Sequence, residues 1–301
     1  MDKIVADALP QYSRAALHKL FATDHILLDG MTVRPGHKVR EGAVIEVDLS
    51  LLEQDQQVVE LPILYEDDDV VVIDKPAGII SHARGRYWYE PSVASFLRYH
   101  TLKGDGKVKG TIIPNATHTP DNLVTKSYPL NMSNNDNDRA GIVHRLDRAT
   151  SGVMICAKND DVLSYLQKQF SARTVVKTYI AVLDGIPAEP EALIDAPIER
   201  NPKKPSMFRV GPNGKSSQTY YKILKQSDKR CLVEFTPKTG RTHQIRVHAV
   251  YIKCPILGDD FYGVAEKRLY LHAHTLTITP PNGKVKTFTS SLPKEFEDAI
   301  K

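Results

Sequence analysis

Apolar and polar positions recur along this chain with two periods, one typical of helices and the other typical of strands. Ser13 is a suitable cap for a first helix, and the apolar residues after it fall on one helical face. These residues are Leu17, Leu20 and Phe21. Apolar residues then flank Asp29-Gly30, which favours a tight hairpin turn, and Pro35-Gly36 forms a second turn before another strand. We predict a small unit at about 1–50 and a polar linker at 51–60.

The rest of the chain, 61–301, contains single strands and helices separated by connections of very uneven length. Runs of apolar and β-branched residues predict strands at 70–73, 152–158, 178–183 and 231–235. One helix should begin after Asn159, a capping residue followed by two aspartates, and another should span 242–252. The stretch 103–138 is rich in Gly, Lys, Asn and Pro, and we interpret it as a surface insertion. This arrangement favours an α+β fold.

The composition indicates a folded protein with a genuine core. The chain has 301 residues, of which 41% are hydrophobic, so a disordered or fibrous protein is excluded. No apolar run approaches the ~20 residues that cross a bilayer, and the first residues lack the layout of a signal or transit peptide. We therefore expect a cytoplasmic protein. The three cysteines are far apart and form no CxxC pair, so each should fill core space.

The charges are distributed unevenly, and the net charge is +4. Acidic residues gather at 66–69, whereas Lys and Arg recur from Lys203 to Arg246. A basic face of this kind suits a polyanionic partner such as a nucleic acid. A run of solvated lysines has the same composition, so charge alone does not distinguish the two.

Candidate chemistry is concentrated in two short segments. The first reads GIVHRLDRATSG and places one carboxylate, Asp147, between Arg145 and Arg148. Taken alone, it is also the composition of a salt-bridged surface turn. The second reads KTGRTHQIRVH and leads from a glycine loop into a helix start, where exposed backbone N–H groups and Arg241 can hold a phosphate. No GxGxxG or GxxxxGK[ST] motif opens a helix, so no nucleotide cofactor is indicated.

Together, the HRLD and GRTHQIR strings resemble the RluA-type family of pseudouridine synthases, which isomerise uridine in RNA. Further matches to the family lie at 65–78, 177–185, 255–259 and 271–273. The similarity extends over about 60–290 except the insertion. Residues 1–50 resemble an S-four-type RNA-binding module, which often precedes this catalytic domain. The resemblance implies a pseudouridine-synthase-like α+β domain with a mixed, largely antiparallel sheet.

The resemblance also implies roles for individual residues. Asp147 would be the nucleophile, and Arg246 the guanidinium that keeps it ionised. Tyr179 would stack on the extruded uracil and assist loss of the C5 proton. Whether the carboxylate attacks C1′, attacks C6 or assists glycal formation stays open. The residues expected to bind RNA or to form the wall of the site are Arg14, Lys19, Arg145, Arg241, His243 and Leu271.

The expected substrate is a uridine in structured RNA, with large-subunit ribosomal RNA ahead of transfer RNA, and the expected state is a monomer. Isomerisation needs no redox step or external group, so we expect no cofactor. We expect no metal, because the pairs His243/His248 and His272/His274 lack an HExxH motif or a cysteine ligand. Two other functions remain possible from sequence. One is an RNA-binding ribosome-assembly protein without turnover, and the other is a hydrolase of small phosphorylated substrates that uses Asp147.

Overall fold

The computed structural model describes residues 1–52, 56–82, 90–103, 125–128 and 141–301. The chain separates into two compact units, one built mainly from Met1–Gln57 and the other mainly from Val58–His82 and 141–301. Most of the predicted insertion at 103–138 and the middle of the predicted linker lie outside the described residues. The domain boundaries therefore stay a prediction. None of the described helices has the length and apolar character needed to span a bilayer.

The first unit consists of two short helices and a small sheet. Its elements are α1 (Asp2–Ala8), α2 (Arg14–Ala22), β1 (Ile26–Leu28), β2 (Met31–Thr32), β3 (Ile45–Val47) and a 3-10 turn at Ser50–Leu52. The three strands are antiparallel in the order β2-β1-β3. Asp29 and Gly30 join β1 to β2 with φ angles of 50° and 76°, as the predicted tight turn requires. The predicted helix and hairpin are confirmed, whereas the S-four resemblance stays a prediction.

Ser13 caps α2, because its hydroxyl accepts a hydrogen bond from the Ala16 N–H at 3.3 Å. Ser13→Ala should destabilise this helix by about 0.5 kcal/mol, since the Ala16 N–H loses its side-chain acceptor and keeps only the Ser13 carbonyl at 2.9 Å. Hydrogen exchange of the α2 amides measures the local opening free energy. Ser13→Asp restores an acceptor and serves as the control. Equal exchange in Ser13→Ala and the unmodified protein would contradict the prediction.

The second unit is organised around one nine-stranded sheet. Its strands are β5 (Ile63–Glu66), β6 (Val70–Lys75), β8 (Ser151–Ala157), β9 (Val176–Asp184), β10 (Glu191–Asp195), β13 (Gln218–Gln226), β14 (Arg230–Pro237), β15 (Leu271–Ile278) and β16 (Lys286–Thr289). Their order is β10-β13-β14-β9-β15-β8-β6-β5, and β16 pairs with β15. The remaining described strands are β4 (Gln56–Val59), β7 (Thr125–Tyr128), β11 (Ile198–Arg200) and β12 (Phe208–Val210), of which the last two form a hairpin.

Strands β8 and β15 pair in parallel, and the other pairs described in this sheet are antiparallel. Gly152 allows the close approach of these two strands. At its φ of 117°, an added Cβ would lie 2.2 Å from the Ala273 carbonyl oxygen. The predicted α+β fold with a mixed, largely antiparallel sheet is confirmed.

Four helices are described in this unit. They are α3 (Val93–Lys103), α4 (Asp160–Ala172), α5 (Gln244–Tyr251) and α6 (Lys294–Asp298). Helix α4 begins as predicted, with the Asn159 side chain accepting from the Val162 N–H at 2.9 Å. Helix α5 begins later than the predicted residue 242, because His243 has a φ of 55° and is left-handed rather than helical.

The three cysteines are buried in the apolar core, as predicted. Cys156 packs in the cluster around β6 and β8, and Cys231 and Cys254 pack in the cluster around β9, β14 and α5. Burial raises the pKa of each thiol. All three are therefore poorly reactive packing residues.

His272 on β15 is a buried titratable group whose charge affects stability. Its Nδ1 lies 2.9 Å from the Ser151 hydroxyl, and its Nε2 lies 3.0 Å from the Ser290 hydroxyl. Burial lowers the pKa of His272 to about 3. Below pH 6.5 the unfolded chain therefore binds a proton that the folded protein does not bind. The stability associated with this residue is present above about pH 6.5 and is lost as the pH falls toward 3.

We expect this single group to cost about 2 kcal/mol of stability at pH 5 relative to neutral pH. Chemical denaturation at pH 7 and at pH 5 measures the loss. His272→Asn is less stable at both values, but it should lose less over the interval, because nothing titrates at that position. The same loss in both proteins would contradict the prediction.

Candidate active site

Asp147 lies in a turn just ahead of β8, and the segment after β6 holds this turn on both sides. The Ser81 hydroxyl donates to the Leu146 carbonyl at 2.8 Å and accepts from the Leu146 N–H at 3.1 Å. On the other side, the Arg148 carbonyl accepts from the Gly78 N–H at 2.8 Å. The backbone of Asp147 is therefore fixed through both of its neighbours.

Lys75, at the end of β6, is fully buried and strengthens this connection. Its ammonium donates to the carbonyls of Ile79 at 2.7 Å, Pro76 at 2.9 Å and Arg148 at 3.2 Å. Burial lowers the pKa of Lys75 to about 7, although the nearby Asp147 carboxylate acts in the opposite direction. Lys75 thus joins the segment after β6 to the turn that carries Asp147.

Two nitrogen groups face the Asp147 carboxylate without bonding to it directly. Arg246 Nη1 and His243 Nε2 each lie 3.9 Å from Asp147 Oδ2. The closer partner of Arg246 is Asp259, with Nε to Oδ2 at 2.8 Å and Nη2 to Oδ1 at 2.6 Å. Burial lowers the pKa of Arg246, but the hydrogen bonds to Asp259 act more strongly in the opposite direction. The pKa of Arg246 is therefore raised. The guanidinium expected to pair with Asp147 is therefore held mainly by Asp259.

Aromatic rings hold these two nitrogen groups in place. Arg246 Cζ lies 5.2 Å from the ring centroids of both Phe261 and Tyr262. The His243 imidazole meets Phe208, Phe261 and Tyr262 edge-on or nearly so, with centroid distances of 5.6–5.7 Å. Such contacts restrict the rotamers of both side chains.

These groups face a cavity of about 490 Å³, which is in the range of ligand pockets. Asp147, Tyr179 on β9, Arg246 on α5 and Leu271 on β15 all line it. Asp147 is the single acid among the described lining residues. The cations that line the cavity are Arg145, Arg173, Lys177, Lys238, Arg241 and Arg246. The arrangement suits a polyanion and offers it one carboxylate.

Tyr179 and Leu271 provide the less polar part of the lining. Burial, with a contribution from Asp147, raises the pKa of Tyr179. Its phenol therefore keeps its proton at neutral pH. Leu271 is 3% exposed and forms an apolar wall.

Two further histidines, His144 in the cavity lining and His248 on α5, have protein partners. His144 stacks on Phe170, with a centroid distance of 4.7 Å, and its Nε2 accepts from the Ile155 N–H at 3.1 Å. Burial lowers the pKa of His144 to about 3, so it is a neutral structural residue. Both ring nitrogens of His248 lie within 3.0 Å of protein oxygens.

The predicted phosphate site ahead of α5 differs in one respect from expectation. The backbone N–H of Arg241 donates to the Gln244 side chain at 2.9 Å and is thus occupied rather than exposed. The Arg241 side chain donates to the Ser216 carbonyl at 3.2 Å, and Arg145 is exposed at the cavity.

In the first unit, Arg14 is ion-paired with Asp2 and 66% exposed. Burial lowers the pKa of Lys19.

Several residues of the site were given no role from sequence, although Lys75, Lys177 and Asp259 lie in segments that match the family and Lys238 opens the KTGRTHQIRVH segment. They are Phe208, Asp259, Phe261, Tyr262, Arg173, Lys177, Lys238, Lys75 and Ser81. The string GDDFYG held a local signal for three of them, because Asp259 Oδ1 accepts from the Phe261 and Tyr262 N–H groups at 3.0 and 3.1 Å. An aspartate whose side chain accepts from the N–H groups two and three residues later forms a compact turn.

The chain is similar to known proteins over most of its length. A family model described as RNA pseudouridylate synthase matches residues 69–250. A ribosomal large subunit pseudouridine synthase D from Xanthomonas campestris pv. campestris is 33% identical, over 98% of this chain and 86% of its own length. A protein of the same name from Borreliella burgdorferi is 36% identical, over 79% of this chain and 67% of its own. The solved structure of human RNA pseudouridylate synthase domain containing 4 has a TM-score of 0.57 and 25% identity, covering 79% of this chain and 91% of that one.

Proposed function

Because the chain belongs to the RluA-type family of RNA pseudouridine synthases, we propose that it converts uridine to pseudouridine in large-subunit ribosomal RNA, with Asp147 as nucleophile. Family membership makes it an RNA-modifying isomerase. The observation that carries the site assignment is the position of Asp147 as the one acid among six cations in the described lining of one cavity. The ribosomal target rests on the names of the relatives.

Pseudouridine formation rearranges bonds within one nucleotide. The N1–C1′ bond breaks, the freed uracil turns, and a C5–C1′ bond forms. The C5 proton then leaves and N1 takes up a proton, so the nucleotide is neither oxidised nor reduced. The target nucleotide first has to leave the helical stack, at a cost of a few kcal/mol. A cavity lined with cations offsets this cost by binding the flanking phosphates.

In this proposal the Asp147 carboxylate reacts in its ionised form. The positive Arg246 guanidinium lies 3.9 Å from this carboxylate and attracts its negative charge. Three routes use the same carboxylate: addition to C1′, addition to C6, and assistance of glycal formation. The absence of a short hydrogen bond to Arg246 leaves the oxygen Oδ2 accessible to the nucleotide.

Tyr179 and Leu271 are proposed to enclose the extruded uracil. Because its pKa is raised, the Tyr179 phenol is better suited to stacking and hydrogen bonding than to acting as a base in the resting enzyme. Leu271 limits the access of water to the reacting bonds.

The remaining predicted residues are proposed to hold the RNA. Arg145, exposed at the cavity, would fill the space that the flipped nucleotide leaves, and Arg241 and His243 would lie beside the nucleotide. Arg14 and Lys19 of the first unit would contact phosphates of the same RNA. Xanthomonas campestris and Borreliella burgdorferi are bacteria, whose RNA is made in the cytoplasm, so we propose that the enzyme acts there. We also propose that it acts as a monomer.

Tritium release from RNA labelled at uridine C5 tests the proposal. Transcripts of large-subunit ribosomal RNA, small-subunit ribosomal RNA and transfer RNA are compared with equal amounts of protein. We expect release that saturates at a small whole number of sites in the large-subunit transcript. Release from transfer RNA alone would contradict the proposed target.

The same assay distinguishes the rival functions. A folded protein that binds RNA but releases no tritium from any pool would favour a ribosome-assembly protein without turnover. Hydrolysis of small phosphorylated compounds in the absence of RNA would favour a hydrolase.

A further inference from the structure

We propose that His243 is a positioning residue for Asp147 and that the Tyr262 hydroxyl holds its imidazole in the tautomer with the proton on Nε2. The inference rests on the proposed function of Asp147. It assigns His243 a role different from RNA binding, and it includes Tyr262 in the site.

The hydrogen bonds around Tyr262 favour one tautomer of His243. The Phe208 N–H, on the β11–β12 hairpin, donates to the Tyr262 hydroxyl oxygen at 2.8 Å. That oxygen also lies 2.8 Å from His243 Nδ1. If Nδ1 carried a proton, two N–H groups would point at one oxygen and the hydroxyl proton would lose this acceptor. The satisfied arrangement has the Tyr262 O–H donating to Nδ1, so the proton of the neutral ring is on Nε2.

The orientation of the His243 ring follows from its surroundings. The side chain is 13% exposed, and three aromatic rings surround it. Its backbone φ of 55° lies in the left-handed region, which a non-glycine residue adopts at an energetic cost. This conformation places the residue between Tyr262 on one side and Asp147 on the other. The buried, surrounded ring cannot swing out to an exposed phosphate without losing these contacts.

The Nε2–H then faces Asp147 Oδ2 at 3.9 Å. At this distance the contact is not a hydrogen bond, but the positive end of the N–H attracts the negative carboxylate. The other tautomer would turn a lone pair toward the carboxylate and repel it. Asp259 largely neutralises the charge of Arg246. The direction of the His243 dipole therefore contributes more to the electrostatic field at Asp147 than it would beside an unpaired guanidinium.

The test uses Tyr262→Phe, which removes the hydroxyl and keeps the ring. Nitrogen-15 NMR of histidine-labelled protein should show His243 as the Nε2–H tautomer in the unmodified enzyme and as a mixture in the variant. In the tritium-release assay, we expect kcat to fall about 10–100-fold, by analogy with the loss found for residues that orient metal ligands. KM for RNA should stay within about twofold, because no phosphate contact is lost.

A second variant keeps the test independent of the first. His243→Gln, whose amide N–H reaches toward the position of Nε2, should retain clearly more activity than His243→Ala. Adding Tyr262→Phe to His243→Ala should cause little further loss, because the hydroxyl then has no imidazole to orient. Tyr220→Phe is the matched control, since Tyr220 donates to Glu191 on the exposed edge of the sheet and should behave as the unmodified enzyme.

An unchanged tautomer in Tyr262→Phe would overturn the inference, and so would an unchanged kcat. A change confined to KM would assign His243 to RNA binding instead and would also overturn it. An unmodified enzyme without activity on any RNA contradicts the proposed function, and the NMR measurement then tests the tautomer by itself.

Discussion

Asp147→Ala is expected to abolish pseudouridine formation, with kcat reduced at least about 10³-fold. The variant loses the one acid among the described residues that line the cavity, so that lining offers no second carboxylate to replace it. RNA affinity should stay within about tenfold, because contacts between cations and phosphates dominate binding. Removing a negative charge from among six cations acts, if anything, in favour of RNA.

Tritium release and filter binding on the same large-subunit transcript measure the two effects. Asp147→Asn keeps the shape of the side chain and removes its charge, so it should be nearly as inactive. Asp161→Ala, in the exposed first turn of α4, is the control and should keep full activity. An Asp147→Ala enzyme that retains more than a tenth of the activity would contradict the assignment of the nucleophile.

Asp259→Asn is expected to destabilise the second unit by about 3–5 kcal/mol, because it leaves the buried Arg246 guanidinium without its charged partner. Arg246 is 3% exposed and Asp259 is 0% exposed, so water does not replace the lost interaction. Of the two carboxylates that remain near the guanidinium, Asp260 at 3.3 Å is 61% exposed, and the less exposed one is Asp147, 3.9 Å from Arg246 Nη1. We expect the freed guanidinium to pair with it, which would lower kcat as well.

Thermal unfolding should show a decrease in Tm on the order of 10 °C. Asp260→Asn is the matched control: Asp260 lies 3.3 Å from the same guanidinium, but its side chain is 61% exposed. An exposed ion pair contributes less than about 1 kcal/mol, so this variant should resemble the unmodified enzyme. Equal Tm values for the two variants would show that the stability associated with Arg246 does not depend on its ion pair with Asp259.

The elements predicted from sequence are those whose determinants are local. Ser13 and Asn159 cap helices because a short polar side chain reaches the N–H three residues later. Asp29-Gly30 forms its turn because both residues tolerate positive φ. The buried strand β8 is readable as a run of small and apolar residues. Each of these depends on fewer than about ten neighbouring positions.

The parts of the site that were missed depend on contacts between distant segments. Ser81 bonds to Leu146, which lies 65 positions later in the chain. No sequence pattern links two residues at that separation. The start of α5 was misplaced because the left-handed conformation of His243 accompanies contacts with Phe208 and Tyr262, which come from elsewhere in the chain. Family motifs identified Asp147 and Arg246, but Asp259 was matched without any indication of its partner.

Strands β8 and β15 are neighbours in the sheet, although Ser151 and His272 are 121 positions apart. During translation, β5, β6 and β8 leave the ribosome long before β15, the strand that connects them to β9, β14 and β13. Contacts over such separations form slowly, and they cannot form before the later partner has been made. A nascent chain therefore carries Asp147 without Leu271 opposite it for much of its synthesis. The cavity lining is complete only after the chain has been synthesised at least as far as Leu271.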